Sequence, residues 1–480
     1  MTGTLLSLDE LLSATGGCLL SASTACAFSS VATDSRKVTD GSLFVPLIGE
    51  VQDGHAYIPQ AVEKGASVVL VANQAYASKQ DFFAPIFRDN PSVAFIGVDN
   101  TLHALQDAAA RYVEKFPALI KIGITGSSGK TTTKEIVRAL LSRKYKVIAN
   151  EGNLNSETGL PLSVFNIREG HEVGLFEMGM NRRDEMKEIS AVLKPRYAVI
   201  TNIGTAHIGI LGSRQAIAEE KSRVFDHFTA SSVAFIPKDD DFASFLSETA
   251  GSKGGTSCFY GEDSVEGVQF VRNRGLLGTD FMIDGKAATL SLPGSYNYRN
   301  ALAAICLARE LGVSTDDIIE GFSSLQPLFG RCELISDEKS GIRILQDCYN
   351  ANPDSMEKAV DLVASDDSGS RFLVLGDMLE LGEASLDSHR TVISRAAASG
   401  ASVILVGQEM AAALEGMRNQ AGMQDVLCFP DKSDESIQKI ADWLKARMSR
   451  GDAVLIKGSR GMALERLTKC LTAGDGGEHE

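Results

Sequence analysis

The amino-acid sequence predicts an α/β protein built of three domains. Its 480 residues suffice for about three domains of ordinary size, each with its own core. Apolar runs of strand length alternate with amphipathic helical stretches along most of the chain, which is typical of mainly parallel sheets covered by helices. The stretch "ITGSSGKTTTKE", from Ile124 to Glu135, places a glycine-rich turn between one such strand and the next helix. We therefore predict a central domain with a mainly parallel sheet of the phosphate-loop (P-loop) type.

The predicted domain boundaries fall where the pattern starts afresh. The first region, residues 1–116, ends in the helix-like "TLHALQDAAARYVEKF", and Pro117 opens a new strand pattern. The second region, residues 117–328, contains the buried-strand patterns "VGLFEMG" and "YAVITNIG". The third region, residues 329–480, repeats β-branched runs closed by glycine, as in "RFLVLGDM", "SVILVGQEM" and "DAVLIKGSRG". This repetition predicts a Rossmann-like C-terminal domain, although no G-x-G-x-x-G motif supports nicotinamide binding.

Composition excludes several classes of protein. Hydrophobic residues make up 44% and charged residues 23%, so we expect a folded globular chain in which only the polar tail "GDGGEHE" is left unpacked. The net charge of −15 repels polyanions and argues against a nucleic-acid binder. Eight cysteines without a C-x-x-C pair argue against a zinc site and a disulfide framework.

The N-terminal stretch "MTGTLLSLDELLSATGG" lacks the basic start of a signal peptide. Ser7 and Glu10 instead predict a capping box that opens a helix. No apolar run approaches the ~20 residues that a membrane span requires. The sequence also lacks a heptad repeat of apolar residues that would indicate a dimer. We expect a cytoplasmic monomer with no membrane insertion.

The phosphate loop departs from the strict pattern G-x-x-x-x-G-K-[ST], because Ile124 stands where the first glycine would fall. Gly126 and Gly129 nevertheless bracket the turn, and glycine lets the backbone approach phosphate closely. Lys130 would neutralise phosphate charge and Thr131 would ligate Mg²⁺, while backbone N–H groups at the helix start bind phosphate oxygens. We expect a nucleoside triphosphate here, rather than a turn with a chance lysine. The residues predicted to hold it are Gly126, Ser127, Ser128, Gly129, Lys130, Thr131 and Thr132.

Two further polar side chains follow apolar strands, at the ends where open parallel sheets bind ligands. Glu177 stands in "FEMG" and His207 in "NIGTAHIG", and together they would hold the Mg²⁺ of ATP or a second metal ion. Each residue alone is a weak indication, since a single histidine after a strand is more often a hydrogen-bonded structural residue. Lys221, in "AIAEEKSRVF", has by pattern alone the character of a solvated charge on a helix face.

Six stretches taken together resemble the Mur ligases, the ATP-dependent amide ligases of peptidoglycan precursor assembly. These stretches are "TGSSGKTT", "EMG", "NIGTAHIGILGS", "AEEKSRVF", "SYNYRNALAA" and "GRCE". The phosphate loop of that family is written T-G-x-x-G-K-[ST], which this sequence satisfies, so the glycine missing from the strict pattern is accounted for. The resemblance extends over nearly the whole chain.

The resemblance implies that ATP and Mg²⁺ are the cofactors, and it assigns roles by position. It implies that Lys221 reacts with CO₂ to form a carbamate that helps to position a second Mg²⁺. The implied catalytic residues are Lys130, Lys221, His207 and Glu177, and the implied metal ligands are Thr131, Glu177, His207 and the carbamate of Lys221. The positions that match the family's adenine, γ-phosphate and ribose contacts are Asn297, Arg331 and Asp347.

Two positions depart from the family pattern. Tyr296 stands where a histidine is more usual, so stacking near the adenine is expected to differ. Gln346 stands where an acidic residue is common, which leaves Asp347 as the carboxylate offered there.

Within the family, "DCYNANPDSM", "VLGDMLELGE" and "KGSRGMALE" resemble the member that completes the precursor peptide. The implied reaction joins D-alanyl-D-alanine to UDP-N-acetylmuramoyl-tripeptide through an acyl phosphate. The stretch "TDSRKVTDGSLFVPLIGEVQDGHAYIPQA" resembles the family's uridine-nucleotide-binding domain, and the C-terminal domain would bind the incoming dipeptide. The implied substrate-binding residues are Ser35, Arg36, His55, Asn155, Asn350 and Asn352.

Three alternatives stay open at the level of sequence. A sister ligase would add diaminopimelate, lysine or glutamate, but the D-N-P-R motif of the enzyme that adds the third residue is missing. A P-loop ATPase or kinase without ligase activity would leave the uridine-type N-terminal region unexplained. A non-enzymatic member of the fold would not need Lys130, Glu177, His207 and Lys221 together.

Overall fold

The structure is a computed structural model and describes residues 3–21, 23–49, 52–326, 329–337, 340–379 and 381–472. Leu328, at the second predicted boundary, and the tail from residue 473 lie outside these ranges. Three larger sheets follow one another along the described chain, each with mainly parallel strands and flanking helices. The predicted α/β class with mainly parallel sheets is confirmed.

The N-terminal region forms a five-stranded sheet within the described residues. In spatial order its strands are Cys18–Leu19, Ala94–Val98, Ala66–Ala72, Ser42–Phe44 and Ser30–Ala32, of which only the first pairs antiparallel. A short antiparallel pair joins Leu6–Ser7 to Ala27–Phe28. The helices are Leu8–Thr15, Ile58–Glu63, Asn73–Ser78, Gln80–Asp89 and Thr101–Val113. The predicted capping box is confirmed, since Ser7 and Glu10 accept each other's backbone N–H groups at the start of the first helix.

The central region is built on six parallel strands among the described residues. Their spatial order is Thr256–Tyr260, Val233–Pro237, Tyr197–Ile200, Ile120–Thr125, Val173–Glu177 and Val147–Ala149. The strand that leads into the phosphate loop therefore lies inside the sheet, between the strands that lead to His207 and Glu177. An antiparallel sheet follows, formed by Val268–Asn273, Thr279–Ile283 and Lys286–Leu290. The helices are Lys130–Leu141, Gly159–Val164, Glu185–Leu193, Ile208–Leu211, Arg214–Ser222, Ala243–Ser252, Ser295–Glu310 and Thr315–Ser323.

The C-terminal region forms a third sheet, which has six strands in the described part of the chain. In spatial order they are Glu333–Ser336, Arg343–Asp347, Ala453–Lys457, Arg371–Gly376, Ser402–Val406 and Leu427–Phe429. The first pairs antiparallel and the others parallel. The helices are Pro353–Ala364, Ser385–Ala398, Gln408–Glu415, Asp434–Lys445 and Glu465–Thr472.

The three regions pack against one another in two different ways. The N-terminal and central regions share one apolar core, in which Leu105 and Met186 are both buried, and the Tyr112 hydroxyl donates to the backbone oxygen of Ile167 at 2.6 Å. The C-terminal region meets the central one partly through a polar contact, in which Asp354 accepts hydrogen bonds from Thr205. Among the described helices, none has the length and apolar character needed to cross a membrane.

Candidate active site

A cavity of about 560 Å³ lies where the central sheet faces the C-terminal region. The phosphate loop forms one wall, and the ends of two C-terminal strands form the opposite wall. The predicted residues that line it are Ser127, Ser128, Gly129, Lys130, Thr131, Thr132, Asn155, Glu177, His207, Asn297, Arg331, Asp347, Asn350 and Asn352. The structure thus brings most of the predicted nucleotide site together in one place.

The phosphate loop is shaped by two glycines that no other residue replaces easily. Gly126 has φ +148°, and a Cβ there would meet the Thr201 hydroxyl at 1.8 Å. Gly129 has φ +79° and forms the N-cap of the helix Lys130–Leu141. Ser127 and Ser128, which lie between the two glycines, are held by Asn202 at the end of the neighbouring strand. Asn202 accepts the backbone N–H groups of both serines. The first helical turn therefore faces the cavity with its N–H groups, which is the arrangement that binds phosphate.

Two lysine side chains meet at one backbone oxygen beneath the loop. Lys130 Nζ and Lys221 Nζ each donate to Gly126 O at 2.9 Å. Lys221 is almost fully buried and does not line the cavity, so it is not the solvated charge that its helix pattern indicates. Burial, together with the charge of Lys130, holds the pKa of Lys221 well below its usual range. A larger fraction of the Lys221 amine is therefore neutral, and the neutral amine is the form that reacts with CO₂.

Glu177 lies at the end of its strand with both carboxylate oxygens engaged. Thr131 Oγ1 donates to Glu177 Oε2 at 2.6 Å, and Asn155 Nδ2 donates to Glu177 Oε1 at 2.7 Å. The hydroxyl and the carboxylate are the hard oxygen donors that Mg²⁺ prefers, and both line the cavity beside the phosphate loop. Among the described residues no group of three or more His, Cys, Asp and Glu side chains forms a metal cluster.

His207 lies in the loop after the strand Tyr197–Ile200 and lines the same cavity. Its backbone is left-handed, with φ +65°, and it forms the N-cap of the short helix Ile208–Leu211. Burial and the positive charges of Lys221 and Lys130 lower the pKa of His207 to about 3. The imidazole is therefore neutral at physiological pH, as a metal ligand must be.

The helix Ser295–Glu310 supplies the predicted adenine residue. Asn297 donates from Nδ2 to Pro293 O at 2.7 Å and accepts from Asn300 at Oδ1, so its amide is held in one orientation. Tyr296, which replaces the more usual histidine, forms a hydrogen bond with the Cys332 thiol at 3.0 Å. Burial raises the pKa of Cys332 to about 12, so the thiol is inert at neutral pH.

The C-terminal wall carries an ion pair between the buried Lys457 and the partly buried Asp347. Lys457 Nζ donates to Asp347 Oδ2 at 2.6 Å and also to Asn350 O, while Asp347 Oδ1 accepts the backbone N–H of Cys332. Arg331 stacks on Tyr349, with its guanidinium carbon 4.0 Å from the ring centre. Asn352 caps the helix Pro353–Ala364, and its Oδ1 accepts Ser355 N. The side-chain oxygen of Asn352 therefore already has a structural function.

The predicted uridine-site residues lie outside this cavity. Ser35 donates to Gln60 Oε1 at 2.6 Å, while Arg36 is exposed and paired with Asp34. His55 is fully buried, and both ring nitrogens are bonded within the protein, Nδ1 to Asp53 at 2.6 Å and Nε2 to the backbone N–H of Ala72 at 3.0 Å. A ligand could reach the ring only if these bonds broke, so the geometry gives His55 a structural role. Contact of His55 with substrate therefore stays a prediction.

Sequence reasoning left several residues of the site without a role. Lys457 stood in the quoted "KGSRG" stretch, directly at the end of an apolar strand, and that position was the signal that could have identified it. Asn150 has the same signal, since it follows the strand Val147–Ala149. Lys134 gave no signal, because its helix pattern is that of a surface charge, yet it is buried.

Comparison with known protein families finds three successive matches along the chain. Residues 124–308 match the Mur ligase middle domain, residues 330–460 the Mur ligase, glutamate ligase domain, and residues 27–113 the Mur ligase family, catalytic domain. The UDP-N-acetylmuramoyl-tripeptide–D-alanyl-D-alanine ligase of Treponema pallidum is 44% identical over 97% of this chain and 99% of its own. The chain belongs to the Mur ligase family. It is therefore an ATP-using ligase that forms a C–N bond.

Solved structures agree with this membership. A crystal structure of MurF from Acinetobacter baumannii superposes with a TM-score of 0.83 at 29% identity, covering 97% of this chain and 98% of that one. MurF from Thermotoga maritima in complex with ADP gives a TM-score of 0.74 at 26% identity, covering 92% and 97%. The three-domain Mur ligase fold is thus confirmed, and nucleotide binding is a property of a structural relative.

Proposed function

We propose that this Mur ligase joins D-alanyl-D-alanine to UDP-N-acetylmuramoyl-tripeptide, with ATP converted to ADP and phosphate. The names of its relatives over nearly full length support this substrate pair. The observation that carries the mechanism is the cavity shared by the phosphate loop and the C-terminal wall. Such a cavity lets ATP, an acceptor carboxylate and an incoming amine meet at one point.

In the first step, the terminal carboxylate of the tripeptide attacks the γ-phosphorus of ATP, and ADP leaves. The acyl phosphate formed is needed because a carboxylate is too poor an electrophile to react with an amine directly. Negative charge grows on the transferred phosphoryl group, and Lys130 with the N–H groups of the loop stabilises it. The guanidinium of Arg331 faces the same cavity from the opposite wall and adds a positive charge there.

The residues that would hold Mg²⁺ are Thr131 and Glu177, with His207 and a carbamate on Lys221 at a second position. When bound, Mg²⁺ would neutralise phosphate charge and align the phosphoryl group for transfer. The carbamate converts a buried amine into a bidentate anion, and the lowered pKa of Lys221 favours the neutral amine that CO₂ requires. Glu177 is already oriented by Thr131 and Asn155, so little rearrangement is needed when a cation arrives.

In the second step, the free amine of D-alanyl-D-alanine attacks the acyl carbon, and phosphate leaves from a tetrahedral intermediate. The C-terminal wall would hold the dipeptide near Asn350 and Lys457, which both line the cavity. The contact of Thr205 with Asp354 joins this wall to the loop that carries His207, and it would hold the two regions together while water is excluded.

The remaining assignments follow from the same proposal. The uridine diphosphate of the acceptor would bind at the N-terminal region near Ser35 and Arg36, because the Arg36 guanidinium is exposed and carries the charge that a phosphate requires. The reaction would take place in the cytoplasm as part of peptidoglycan precursor synthesis, since ATP and the UDP-linked acceptor are found there. We expect a monomer to carry out the complete reaction.

The proposal is tested by phosphate release from Mg·ATP with purified protein and UDP-N-acetylmuramoyl-tripeptide. D-Alanyl-D-alanine, diaminopimelate, lysine and D-glutamate are supplied separately, and product masses are recorded. Release that requires D-alanyl-D-alanine, with a product heavier by the dipeptide less water, supports the proposal. Release that follows a single amino acid would assign the chain to a sister ligase, and release without any amine would leave an ATPase.

A further inference from the structure

Asn150 is a buried amide whose side chain bonds the backbone on both sides of Glu177. Asn150 Oδ1 accepts Glu177 N at 2.9 Å, and Asn150 Nδ2 donates to Glu177 O at 3.0 Å. The same Nδ2 donates to Leu154 O at 2.8 Å. Asn150 is only 3% exposed and does not line the cavity, so it acts on the site through the residues that it bonds.

The position of Asn150 explains why an amide is needed there. The edge strand Val147–Ala149 pairs with Val173–Glu177 only as far as Ala149 opposite Leu175. Beyond that point the strand that carries Glu177 loses its backbone partner on this side. The side-chain amide of Asn150 has the same donor and acceptor as a peptide group, and it continues the pairing to Glu177.

A second contact connects Asn150 to the loop that carries Asn155, one of the two hydrogen-bond donors to the Glu177 carboxylate. Leu154, whose backbone oxygen accepts from Asn150, directly precedes Asn155, whose amide donates to Glu177 Oε1. The backbone of Asn150 is also held in place, since Lys134 Nζ donates to Asn150 O at 2.5 Å. Lys134 stands one helical turn after Lys130 in the phosphate-loop helix. Asn150 therefore links three parts of the site: its side-chain amide joins the Glu177 strand to the Asn155 loop, and its backbone oxygen binds the phosphate-loop helix through Lys134.

We propose that Asn150 is a positioning residue that sets the carboxylate of Glu177 for Mg²⁺ and nucleotide. This inference rests on the proposed function, in which Glu177 binds Mg²⁺ beside the phosphates. Without Asn150, the end of the Glu177 strand and the Asn155 loop would lose their common anchor. The carboxylate would then spend less time between Thr131 and Asn155, and the cation would bind more weakly.

The test compares Asn150→Ala and the same-sized Asn150→Asp with a matched control. Asn150→Asp removes both donated bonds without creating a cavity, so a folding failure of the alanine variant does not end the test. Ser163→Ala is the control, because the Ser163 hydroxyl is equally buried and also donates to Leu154 O but has no bond to Glu177. Binding of Mn²⁺ as a stand-in for Mg²⁺ is measured with ADP present, from the paramagnetic resonance signal of free Mn²⁺. The Mg²⁺ concentration for half-maximal phosphate release is measured alongside.

We expect both Asn150 variants to weaken Mn²⁺ binding at least fivefold and to raise the half-maximal Mg²⁺ concentration by a similar factor. Ser163→Ala should leave both quantities within twofold of the unaltered protein. In a Glu177→Gln background, Asn150→Asp should have no further effect on Mn²⁺ binding, because the group it positions is gone. Unchanged Mn²⁺ binding in folded Asn150→Asp would overturn the inference, as would independent, multiplying effects of Asn150→Asp and Glu177→Gln.

The outcomes separate this inference from the proposed function. If the unaltered protein binds Mn²⁺ with ADP but joins no dipeptide, the choice of substrates is wrong while the role of Asn150 is still measured. If the unaltered protein joins the dipeptide and the Asn150 variants match it in Mn²⁺ binding and Mg²⁺ requirement, only the positioning role is wrong.

Discussion

The phosphate-loop region and the N-terminal region differ in how their predicted residues are held. At the phosphate loop, side chains from a helix, a loop and a strand converge, since Thr131 and Asn155 each donate to Glu177 within 2.7 Å. In the N-terminal region, Arg36 is exposed while His55 is fully buried. The first group of residues lines the cavity between the central and C-terminal regions, and the second group does not.

The difference teaches what a motif can and cannot predict. A phosphate loop is a local structure, so its residues must lie together whenever the strand, turn and helix form. Ser35, Arg36 and His55 are joined only by sequence resemblance, and the fold uses the histidine for its own hydrogen bonds. Variants of the phosphate loop should therefore lower activity with little change in stability. A variant of His55 should lower stability with little change in activity.

The largest effect is expected at Lys130. Lys130→Ala should lower kcat by about 10²–10³-fold, because it removes a positive charge aimed at the transferred phosphoryl group. Thermal unfolding should change little. Phosphate release at saturating substrates measures the loss, and Lys439→Ala, which removes an exposed lysine paired with Glu435, serves as control. Retention of more than half of the activity in Lys130→Ala would contradict the central role of the loop.

Lys221 comes next, because its proposed role needs a carbamate rather than a positive charge. Lys221→Arg keeps the charge but cannot form the carbamate, so it should lose activity by about 10²-fold, as Lys221→Ala does. Carbon-13 resonance spectra of the unaltered protein in labelled bicarbonate should show one carbamate signal that both variants lack. A fully active Lys221→Arg variant would rule the carbamate out.

A smaller effect is expected at the contact between the central and C-terminal regions. Asp354→Asn weakens the two bonds from Thr205, and loss of a charged hydrogen bond costs about 1.5–3 kcal/mol, so kcat/KM for the dipeptide should fall by roughly tenfold or more. Asp361→Asn, on the same helix but paired with Arg395 at the surface, is the control. Equal kinetics for the two variants would show that the contact has no part in catalysis.

The smallest effect on activity is expected at His55. His55→Ala leaves the backbone N–H of Ala72 without its acceptor, so unfolding free energy should fall by about 1–3 kcal/mol. The KM for the UDP-linked acceptor should stay within about twofold.

Arg36→Ala should do the reverse, raising the KM for the UDP-linked acceptor while changing stability by less than about 0.5 kcal/mol. Chemical denaturation and initial rates, measured on both variants, decide the matter; a large KM change in His55→Ala would restore its place in the substrate site.

Much of the fold could be predicted from the sequence, because strand periodicity and glycine-closed turns are local signals. The same holds for the phosphate loop, for Glu177, which ends an apolar strand, and for His207, which lies in the loop after another apolar strand. The burial of Lys221 and Lys134 could not be predicted, since both occupy amphipathic helices and their surroundings come from distant segments. The pairing of Lys457 with Asp347 joins residues more than a hundred positions apart, which no local pattern reveals.

The acyl phosphate is tested most directly by isotope transfer. UDP-N-acetylmuramoyl-tripeptide labelled with oxygen-18 in its terminal carboxylate is incubated with Mg·ATP, D-alanyl-D-alanine and protein, and the released phosphate is analysed by mass. If the carboxylate attacks the γ-phosphorus, each phosphate released should carry one oxygen-18 atom from the acceptor. Phosphate that carries oxygen only from ATP and water would contradict the account.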